Sequence, residues 1–455
     1  MNIIICGCGD VGSSIVSYLF HEGHQLSVID TDAETLRKLE GEMDIQTIVG
    51  VASSPDVLAQ AGAADADLII ALTASDEVNM MVCFEAACLF NIPLRIARVR
   101  SGFYSNQKYP PFFDDLHISV VIYPEKETAK TILRNIKTPG ALEFINMPGD
   151  AVFVGAKCMR GSELLKKAVG FIEKNFEEYM TYIAGIVRSG QSIPIDSKTT
   201  FKVGDEVYFV ADSKHYEKML EVLGQPTNRA DHVVVVGGGR VGYCLAKLME
   251  EENMADHLSL IEKDEEQAVY LAKNLDKTLV IKGDAMDEDI LQEANIDKAD
   301  AFVSLTGEDE DNILLSLLTK QHEVKRTFAL INKQIYDKVL AHLGVDVIIN
   351  PNTISTSTIL QHIRKGQVQS IYSLKQQLGD LMSFEVLETS KIVGYTIEKL
   401  RKKKTMRVCA VVRKGQLMKL EDDFKIEVGD SVIILAPSGQ FENVEKLFTA
   451  GLFFF

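Results

Sequence analysis

The chain of 455 residues carries two copies of one pattern. The segment IIICGCGDVG at residues 3–12 returns at 233–242 as VVVVGGGRVG, 230 residues later. A second segment, LIIALTASDEVN at 68–79, returns at 301–312 as AFVSLTGEDEDN. Repetition over such a distance means that two similar folding units follow one another in the chain. We describe the order as A–B–A′–B′, where A and A′ contain these segments.

Within each A copy, short apolar runs alternate with segments of helical periodicity. Residues 1–6 form a continuous apolar run, which is typical of a strand buried on both faces. Helical spacing follows over residues 11–20, and residues 25–29 again resemble a strand. This β-α-β alternation predicts an α/β fold in which A and A′ are Rossmann-type domains with doubly wound parallel sheets.

The B copies are shorter, rich in β-branched residues and interrupted by glycine turns. FKVGD at residues 201–205 is matched by IEVGD at 426–430. These features predict small α+β domains, mainly β, that bind a ligand or a partner. The predicted domains are 1–137 and 229–365 for the Rossmann type, and 138–228 and 366–455 for the small type.

The net charge of −17 argues against a nucleic-acid partner and against direct adhesion to anionic lipid. No apolar stretch reaches the roughly 18 to 20 residues that span a bilayer, and the start of the chain lacks a secretion signal. A cytoplasmic protein is therefore expected. The seven cysteines show no metal-binding spacing, so we expect reduced, buried thiols and no metal site.

A Gly-x-Gly-x-x-Gly motif follows the first strand and opens a helix in both A copies. The first glycine permits a tight turn, the second lets the backbone approach a pyrophosphate, and the third lets the helix pack closely on the strand. Backbone N–H groups at the helix start then face the anion. The predicted cofactor-binding residues are Gly7, Cys8, Gly9, Asp10, Val11 and Gly12 in the first loop, and Gly237, Gly238, Gly239, Arg240, Val241 and Gly242 in the second.

An acid ends the second strand of each copy, Asp30 in A and Glu262 in A′. An acid at this place hydrogen-bonds ribose hydroxyls in dinucleotide-binding domains. Thr31 and Asp32 follow Asp30, so no arginine is placed to receive a 2′-phosphate. This favours NAD, or an adenine nucleotide with free ribose hydroxyls, over NADP.

Polar residues near the ends of the next strands also fit a nucleotide cleft. Thr73 and Ala74 lie just beyond the fourth strand, at the sheet edge where ligands bind in this topology. Arg98 and Arg100 share one side of the following strand, and one of them could reach a phosphate. The counterpart of Arg98 in A′ is Ile331, and Lys333, the counterpart of Arg100, could replace the missing cation only in part. The two clefts are therefore expected to differ in ligand or affinity.

No catalytic constellation accompanies the glycine loops. The histidines in A have no convincing acid partner nearby in sequence, and no Walker lysine or nucleophile motif is present. Tyr395 and Lys399 have the spacing of short-chain dehydrogenases, but they lie in B′, away from a Rossmann crevice. A nucleotide site without chemistry indicates sensing, and the chain is predicted not to be an enzyme.

Taken together, these features resemble a known family. The order A–B–A′–B′ is similar to that of proteins with two regulator-of-potassium-conductance (RCK, or KTN) units, namely the regulatory subunits of bacterial Trk-type potassium-uptake systems. The motifs that carry the resemblance are the two glycine loops with their acids, the TASDEVN and TGEDEDN segments, RIARVR at 95–100, the two VGD turns and the Phe-rich ending at 452–455.

The resemblance implies binding of NAD(H) and of ATP or ADP in the glycine-loop clefts. It also implies a homo-oligomeric ring, typically a tetramer, that gates a membrane-embedded potassium transporter from the cytoplasmic face. By this likeness, nucleotide would contact residues 7–11, Asp30, Thr73, Ala74 and Arg98 in the first cleft, and residues 237–241 and Glu262 in the second. Two alternatives remain open: an NAD-dependent oxidoreductase, and a regulatory subunit of another cation channel or exporter.

Overall fold

A computed structural model gives the fold of most of the chain. It describes residues 1–21, 23–101, 111–175, 180–225, 230–254, 256–333, 336, 344–363, 368–374, 378–403, 405–437 and 439–448.

Six parallel strands form the sheet of the first Rossmann domain. They are β1 Asn2–Cys6, β2 Gln25–Asp30, β3 Gln46–Val49, β4 Leu68–Ala71, β5 Leu94–Arg98 and β6 Val120–Ile122, in the order β3-β2-β1-β4-β5-β6. The helices are α1 Asp10–His21, α2 Ala33–Glu42, α3 Pro55–Gln60, α4 Asp76–Cys88, α5 Pro111–Asp115 and α6 Pro124–Lys137, with a 3-10 turn at Ala63–Asp65.

An antiparallel sheet forms the first small domain. Its strands are β7 Ala141–Asn146, β8 Ala151–Lys157, β9 Tyr182–Arg188, β10 Gln191–Ser192 and β11 Glu206–Asp212, in the order β10-β9-β11-β8-β7, with helices α7 Val169–Asn175 and α8 Tyr216–Val222.

The second Rossmann domain repeats the first strand for strand. Its strands are β12 His232–Val236, β13 His257–Glu262, β14 Leu279–Lys282, β15 Ala301–Ser304, β16 Arg326–Leu330 and β17 Val347–Ile349, in the order β14-β13-β12-β15-β16-β17. Its helices are α9 Arg240–Glu251, α10 Glu265–Asn274, α11 Glu288–Glu293, α12 Asp309–Thr319 and α13 Pro351–Ile363, with 3-10 turns at Ile296–Lys298 and Lys320–His322.

The second small domain has the strand order of the first. Its strands are β18 Val368–Ser373, β19 Asp380–Glu385, β20 Arg407–Arg413, β21 Gln416–Leu417 and β22 Ser431–Ala436, in the order β18-β19-β22-β20-β21, with helices α14 Ile397–Arg401 and α15 Phe441–Glu445. The predicted fold class is thereby confirmed for both Rossmann domains and both small domains.

Like domains associate with like domains. One compact unit consists of residues 1–133 and 230–363, which hold the two Rossmann domains, and the other of residues 134–229 and 364–455. The repeat alone did not reveal this pairing, because the chain alternates the two domain types. The four domain boundaries themselves stay predictions.

The two Rossmann domains share part of their core through α13. Although α13 belongs to the second copy, it packs against α1 of the first. Its apolar residues Ile359, Leu360 and Ile363 are buried among residues of the first domain, including Ile15 and Leu19. The first Rossmann domain is therefore completed by a helix that lies more than 200 residues away along the chain.

The two small domains also share a core within their own unit. Phe153 and Tyr208 of the first belong to the same buried cluster as Leu381 and Ile433 of the second. The hydroxyl of Tyr182 in the first domain donates to the carbonyl of Met418 in the second over 3.2 Å. Each small domain therefore buries one face of its sheet against the other copy.

Some expectations from the sequence fail or fall outside the described residues. The expectation of buried cysteines is wrong for Cys88, the exposed last residue of α4, and for Cys244, which is only partly buried. The Phe-rich ending at 452–455 and the proposed boundaries at residues 228–229 and 365–366 lie outside the described residues. In the described part of the chain, no helix combines the length and apolar character needed to cross a bilayer.

We expect Ile359→Ala to lower the free energy of unfolding by about 2–4 kcal/mol, because it removes fully buried methyl groups from a shared core. The measurement is chemical denaturation of the full chain. Ser357→Ala, on the exposed side of the same helix, is the matched control and should stay within about 0.5 kcal/mol of the parent. Equal, small effects in both variants would contradict the shared core.

A pair of histidines distinguishes the second Rossmann sheet from the first. His232 and His257 are opposite each other on β12 and β13, with ring centroids 4.4 Å apart. Their counterparts in the first sheet, Asn2 and Gln25, do not titrate. Burial lowers the pKa of His232, and His257 lowers it further. The carboxylates of Asp300 and Asp231 oppose this effect, whereas Lys298 adds to it.

Acid should therefore weaken the second Rossmann domain through His232. A histidine whose pKa is lowered by folding binds protons more weakly when folded, so stability falls as the pH drops below the unfolded value of about 6.5. His232→Asn installs the residue of the first copy. We expect the stability of this variant, relative to that of the parent, to be greater at pH 5.5 than at pH 7.5. Thermal midpoints of parent and variant at both pH values test this, and a difference independent of pH would contradict it.

Candidate functional site

The three glycines of each loop meet different steric demands. Gly7 and Gly237 have φ of +96° and +95°, a region that favours glycine. A β-carbon at Gly12 or Gly242 would lie 2.1 or 2.0 Å from the carbonyl oxygen of Gly7 or Gly237. These positions must therefore lack a side chain if the helix is to start against the loop.

The middle glycines are different, because they are open. A β-carbon at Gly9 or at Gly239 would meet no atom of the described chain within 4 Å. Both residues are exposed and directly precede α1 or α9. The space in front of each loop is therefore accessible to a ligand that approaches the backbone at a helix start.

The acids at the ends of β2 and β13 hold the loops. One oxygen of Asp30 accepts a hydrogen bond from the Cys8 N–H over 2.5 Å, and the other accepts the Asp32 N–H over 2.9 Å. Glu262 repeats this arrangement with the N–H groups of Gly238 and Asp264, at 2.7 and 2.8 Å. Each carboxylate therefore ties the glycine loop to the second strand.

A buried asparagine in each copy joins the ends of two further strands. The Oδ1 atom of Asn79 accepts from the Thr73 N–H over 2.8 Å and from the Thr73 hydroxyl over 2.7 Å. Its Nδ2 donates to the carbonyls of Thr73 and Arg98. Asn312 makes the equivalent bonds with Thr306 and Leu330. The repeated sequence marked these asparagines, but their role became visible only in the structure.

Arg98 lies at the carboxyl edge of the first sheet. Its Nη2 donates to the carbonyls of Leu72 and Thr73 over 2.7 and 3.1 Å. Burial, together with the charge of Arg100, lowers the pKa of its guanidinium to about 10. Its Nε is buried without a hydrogen-bond partner among the described residues. A buried cationic donor in this state favours an additional acceptor.

The second cleft lacks this cation. The residue at the position of Arg98 is Leu330, since Asn312 donates to its carbonyl as Asn79 donates to that of Arg98. The expected counterpart, Ile331, is therefore wrong by one residue, but both residues are apolar and buried. Lys333 does not replace it, since its amine lies 3.0 Å from Glu310. Asp284, which follows β14 in the second domain, is paired with Lys263 at 2.8 Å. That hydrogen bond holds the pKa of Asp284 below its usual range and matches its charge.

Residues of each glycine loop contact the other Rossmann domain. Arg240 of the second loop lies 3.7 Å from Glu125, the second residue of α6 in the first domain. In the reciprocal place, Asn352 of α13 donates to Asp10 of the first loop over 3.4 Å. The two helix starts are thus joined across the domain pair by one ion pair and one neutral-to-charged hydrogen bond.

Glu125 is the charged centre of this contact. Arg100 of its own domain lies 3.9 Å away, so arginines from both copies approach one carboxylate. Burial raises the pKa of Glu125. Its own backbone N–H and the charges of Arg100 and Arg240 act in the opposite direction.

The remaining predicted residues have simpler surroundings. Val11 is buried in the first turn of α1, whereas Val241 is partly exposed. Ala74 is exposed beyond β4 and follows Thr73 at the mouth of the first cleft. Within the described ranges, no group of three or more histidine, cysteine, aspartate and glutamate side chains is arranged to hold a metal ion.

Each copy is a Rossmann domain with an open glycine and an acid bound to the glycine loop. The chain therefore falls in the class of proteins with dinucleotide-binding folds. The family model described as the TrkA-N domain matches residues 3–124 and 233–351, and the one described as the TrkA-C domain matches 381–449. The chain is 33% identical over 458 residues to the Trk system potassium uptake protein TrkA of Azorhizobium caulinodans, and 34% identical over 464 residues to that of Haemophilus influenzae. Both alignments cover 100% of each chain.

The chain therefore belongs to the TrkA family of Trk potassium-uptake proteins. This confirms the predicted family and the prediction that the chain is not an enzyme, because the family is one of potassium-uptake components. The oxidoreductase alternative is set aside on the same ground.

Solved structures with the same fold include one titled "GsuK Channel", with a TM-score of 0.62 and 17% identity over 98% of this chain and 78% of that one. Another is titled "GsuK channel bound to NAD", with a TM-score of 0.61 and 18% identity over the same shares. The "Crystal Structure of the GsuK RCK domain" has a TM-score of 0.60 and 18% identity over 98% and 94%. At these identities the likeness establishes the shared fold.

Two substitutions in the first loop should distinguish the glycine that folding requires from the glycine that only leaves open space. Gly12→Ala should lower the thermal midpoint by several degrees, because the new methyl group would overlap the Gly7 carbonyl. Gly9→Ala, three residues earlier, meets open space and should leave the midpoint nearly unchanged. Differential scanning fluorimetry of the two variants measures this. Equal midpoints for both would show that the loop geometry is wrong.

Proposed function

We propose that this chain is a nucleotide-sensing regulatory subunit that binds NAD(H) and ATP or ADP and thereby gates a membrane-embedded, Trk-type potassium transporter. The observation that carries the proposal is the duplicated loop, in which an open glycine, a helix start and a strand-end acid meet. The physiological setting is supported by the full-length relatives, which are named for Trk potassium uptake.

The loop geometry favours a nucleotide diphosphate. Backbone N–H groups at the start of α1 or α9 attract anions, and open Gly9 or Gly239 allows a close approach. Asp30 accepts one N–H on each oxygen, and an ionised carboxylate has about four lone-pair sites, so it keeps capacity for ribose hydroxyls. The structure titled "GsuK channel bound to NAD", which has the same fold, supports NAD(H) as one ligand. ADP and ATP present the same ribose and diphosphate.

The first cleft is the better candidate for NAD(H). Arg98, whose Nη2 donates to the Thr73 carbonyl, has an unpartnered Nε that could donate a charge-assisted hydrogen bond to a phosphate oxygen. In the second cleft the corresponding residue is the apolar Leu330, and Lys333 is engaged by Glu310. The second cleft therefore has weaker affinity for the same ligand, or binds a different nucleotide.

Binding would reach the partner domain through the helix starts. A phosphate beside Arg240 competes with Glu125 for the arginine charge, and a phosphate beside Asp10 adds like charge next to the bond from Asn352. A nucleotide can shift a conformational equilibrium only if it binds one arrangement better than another. These two contacts provide that difference, because bound phosphate changes the free energy of the contact between the Rossmann domains.

The regulated assembly is a homo-oligomeric ring, a tetramer, held on the inner face of the cell membrane by the transporter. A ring amplifies small movements, since several clefts share the interfaces between subunits. The membrane partner of the TrkH or TrkG type is favoured over another cation channel or exporter by the name of the full-length relatives. Co-purification from membranes identifies this partner, and the mass of the assembly gives its number of copies.

Arg98→Ala should weaken NADH binding roughly 10- to 100-fold, the loss expected when a charged hydrogen-bond donor is removed. Isothermal titration measures the affinity. Arg95→Ala is the matched control, because Arg95 is on the same strand but donates to carbonyls at its other end, including that of His117. A loss of NADH affinity that both variants share would come from damage to the strand and not from a lost contact with phosphate.

The gating arm of the test uses Gly9→Val and Gly239→Val, which fill the open side of each loop. The double variant should abolish the response of reconstituted potassium flux to NADH, ADP and ATP. A normal nucleotide response in this double variant would overturn the proposal.

A further inference from the structure

One peptide in each glycine loop has its carbonyl held by a side chain. It is the peptide that joins the second and third loop residues, Cys8–Gly9 in the first copy and Gly238–Gly239 in the second. The hydroxyl of Ser13 donates to the Cys8 carbonyl over 3.0 Å. The side-chain amide of Gln267 donates to the Gly238 carbonyl over 2.6 Å.

The two donors come from positions that do not correspond in the repeat. Ser13 lies in the first turn of α1, and its backbone N–H donates to the Gly9 carbonyl. Tyr243 is the equivalent residue of α9, because its N–H donates in the same way to the Gly239 carbonyl. Gln267 lies in the first turn of α10, directly above the capping residue Asp264.

The first copy has no amide at the position of Gln267. Thr35 is found there, in α2, and its hydroxyl donates instead to Asp32 over 2.6 Å. Each copy thus has its loop donor at a position where the other copy lacks one. The loop carbonyl thus keeps a hydrogen-bond donor in both copies, although the donor comes from different positions. This indicates that the orientation of the carbonyl itself is constrained.

The constraint follows from the planarity of the peptide. In a trans peptide the C=O and the following N–H point in opposite directions. A carbonyl turned towards Ser13 or Gln267 therefore turns the N–H of Gly9 or Gly239 away from those side chains. Both glycines are exposed, and their outer side is open.

We propose that Ser13 and Gln267 are positioning residues, which orient the Gly9 and Gly239 amides towards the diphosphate of a bound nucleotide. This inference rests on the proposed function, since it assumes nucleotides in both clefts. Neither side chain needs to touch the ligand. Each acts by fixing one peptide plane before binding, which reduces the ordering cost of association.

The test moves each donor to the position used by the other copy. Ser13→Ala should weaken binding in the first cleft about 3- to 10-fold, the loss expected for one net hydrogen bond. Adding Thr35→Gln should restore it to within about twofold, because glutamine at that position in the second copy reaches the equivalent carbonyl. For the second cleft, Gln267→Ala should weaken binding and Tyr243→Ser should restore it.

Titrations with NADH, ADP and ATP use the full chain, with Gly239→Val or Gly9→Val present to silence the other cleft. Thr35→Gln and Tyr243→Ser alone serve as reference variants, and thermal midpoints are recorded for all of them. The positioning role predicts that affinity is lost and regained while the midpoint changes little.

Two results would overturn the inference. Unchanged affinity in Ser13→Ala and Gln267→Ala would show that the held carbonyl does not affect binding. A loss that follows the midpoint and is not regained when the donor is moved would show a purely structural bond. Failure of the proposed function is a separate result, because the parent chain with both clefts intact would then bind none of the three nucleotides.

Discussion

In each Rossmann domain, one carboxylate binds both the glycine loop and the turn that follows the second strand. Asp30 accepts the N–H groups of Cys8 and Asp32, and Glu262 accepts those of Gly238 and Asp264. Hydrogen bonds to a charged acceptor contribute about 1.5–3 kcal/mol each, more than neutral ones. The helix start and the open glycine both depend on this connection, so the acid shapes the cleft by itself.

Single polar side chains also join separate backbone segments elsewhere in the repeat. Asn79 and Asn312 each join two strand ends with one buried amide. In the small domains, Arg188 binds Asp205 through two hydrogen bonds, and Arg413 binds Asp430 in the same way. The copies have diverged widely in sequence but keep polar side chains where a strand ends and its backbone groups need partners.

Local patterns predicted much of the fold. The apolar run of β1 and the spacing of the glycines indicated the parallel sheet and the start of α1, since both depend on neighbours in sequence. Contacts between distant segments were not predictable. The pairing of like domains, the burial of Ile359 in the first core and the approach of Arg240 to Glu125 depend on tertiary geometry, which leaves no periodicity in the chain. The exposure of Cys88 was missed for a related reason, because an apolar helix does not show which of its faces is covered.

The reciprocal contacts at the helix starts show what covalent fusion permits. In a pair of identical chains related by a twofold axis, every contact occurs twice, so both edges of the pair must carry the same residues. Here one edge joins Arg240 to Glu125, and the other joins Asp10 to Asn352. A single chain can therefore change one of these contacts without changing the other, so the two sides of its Rossmann pair can acquire different strengths.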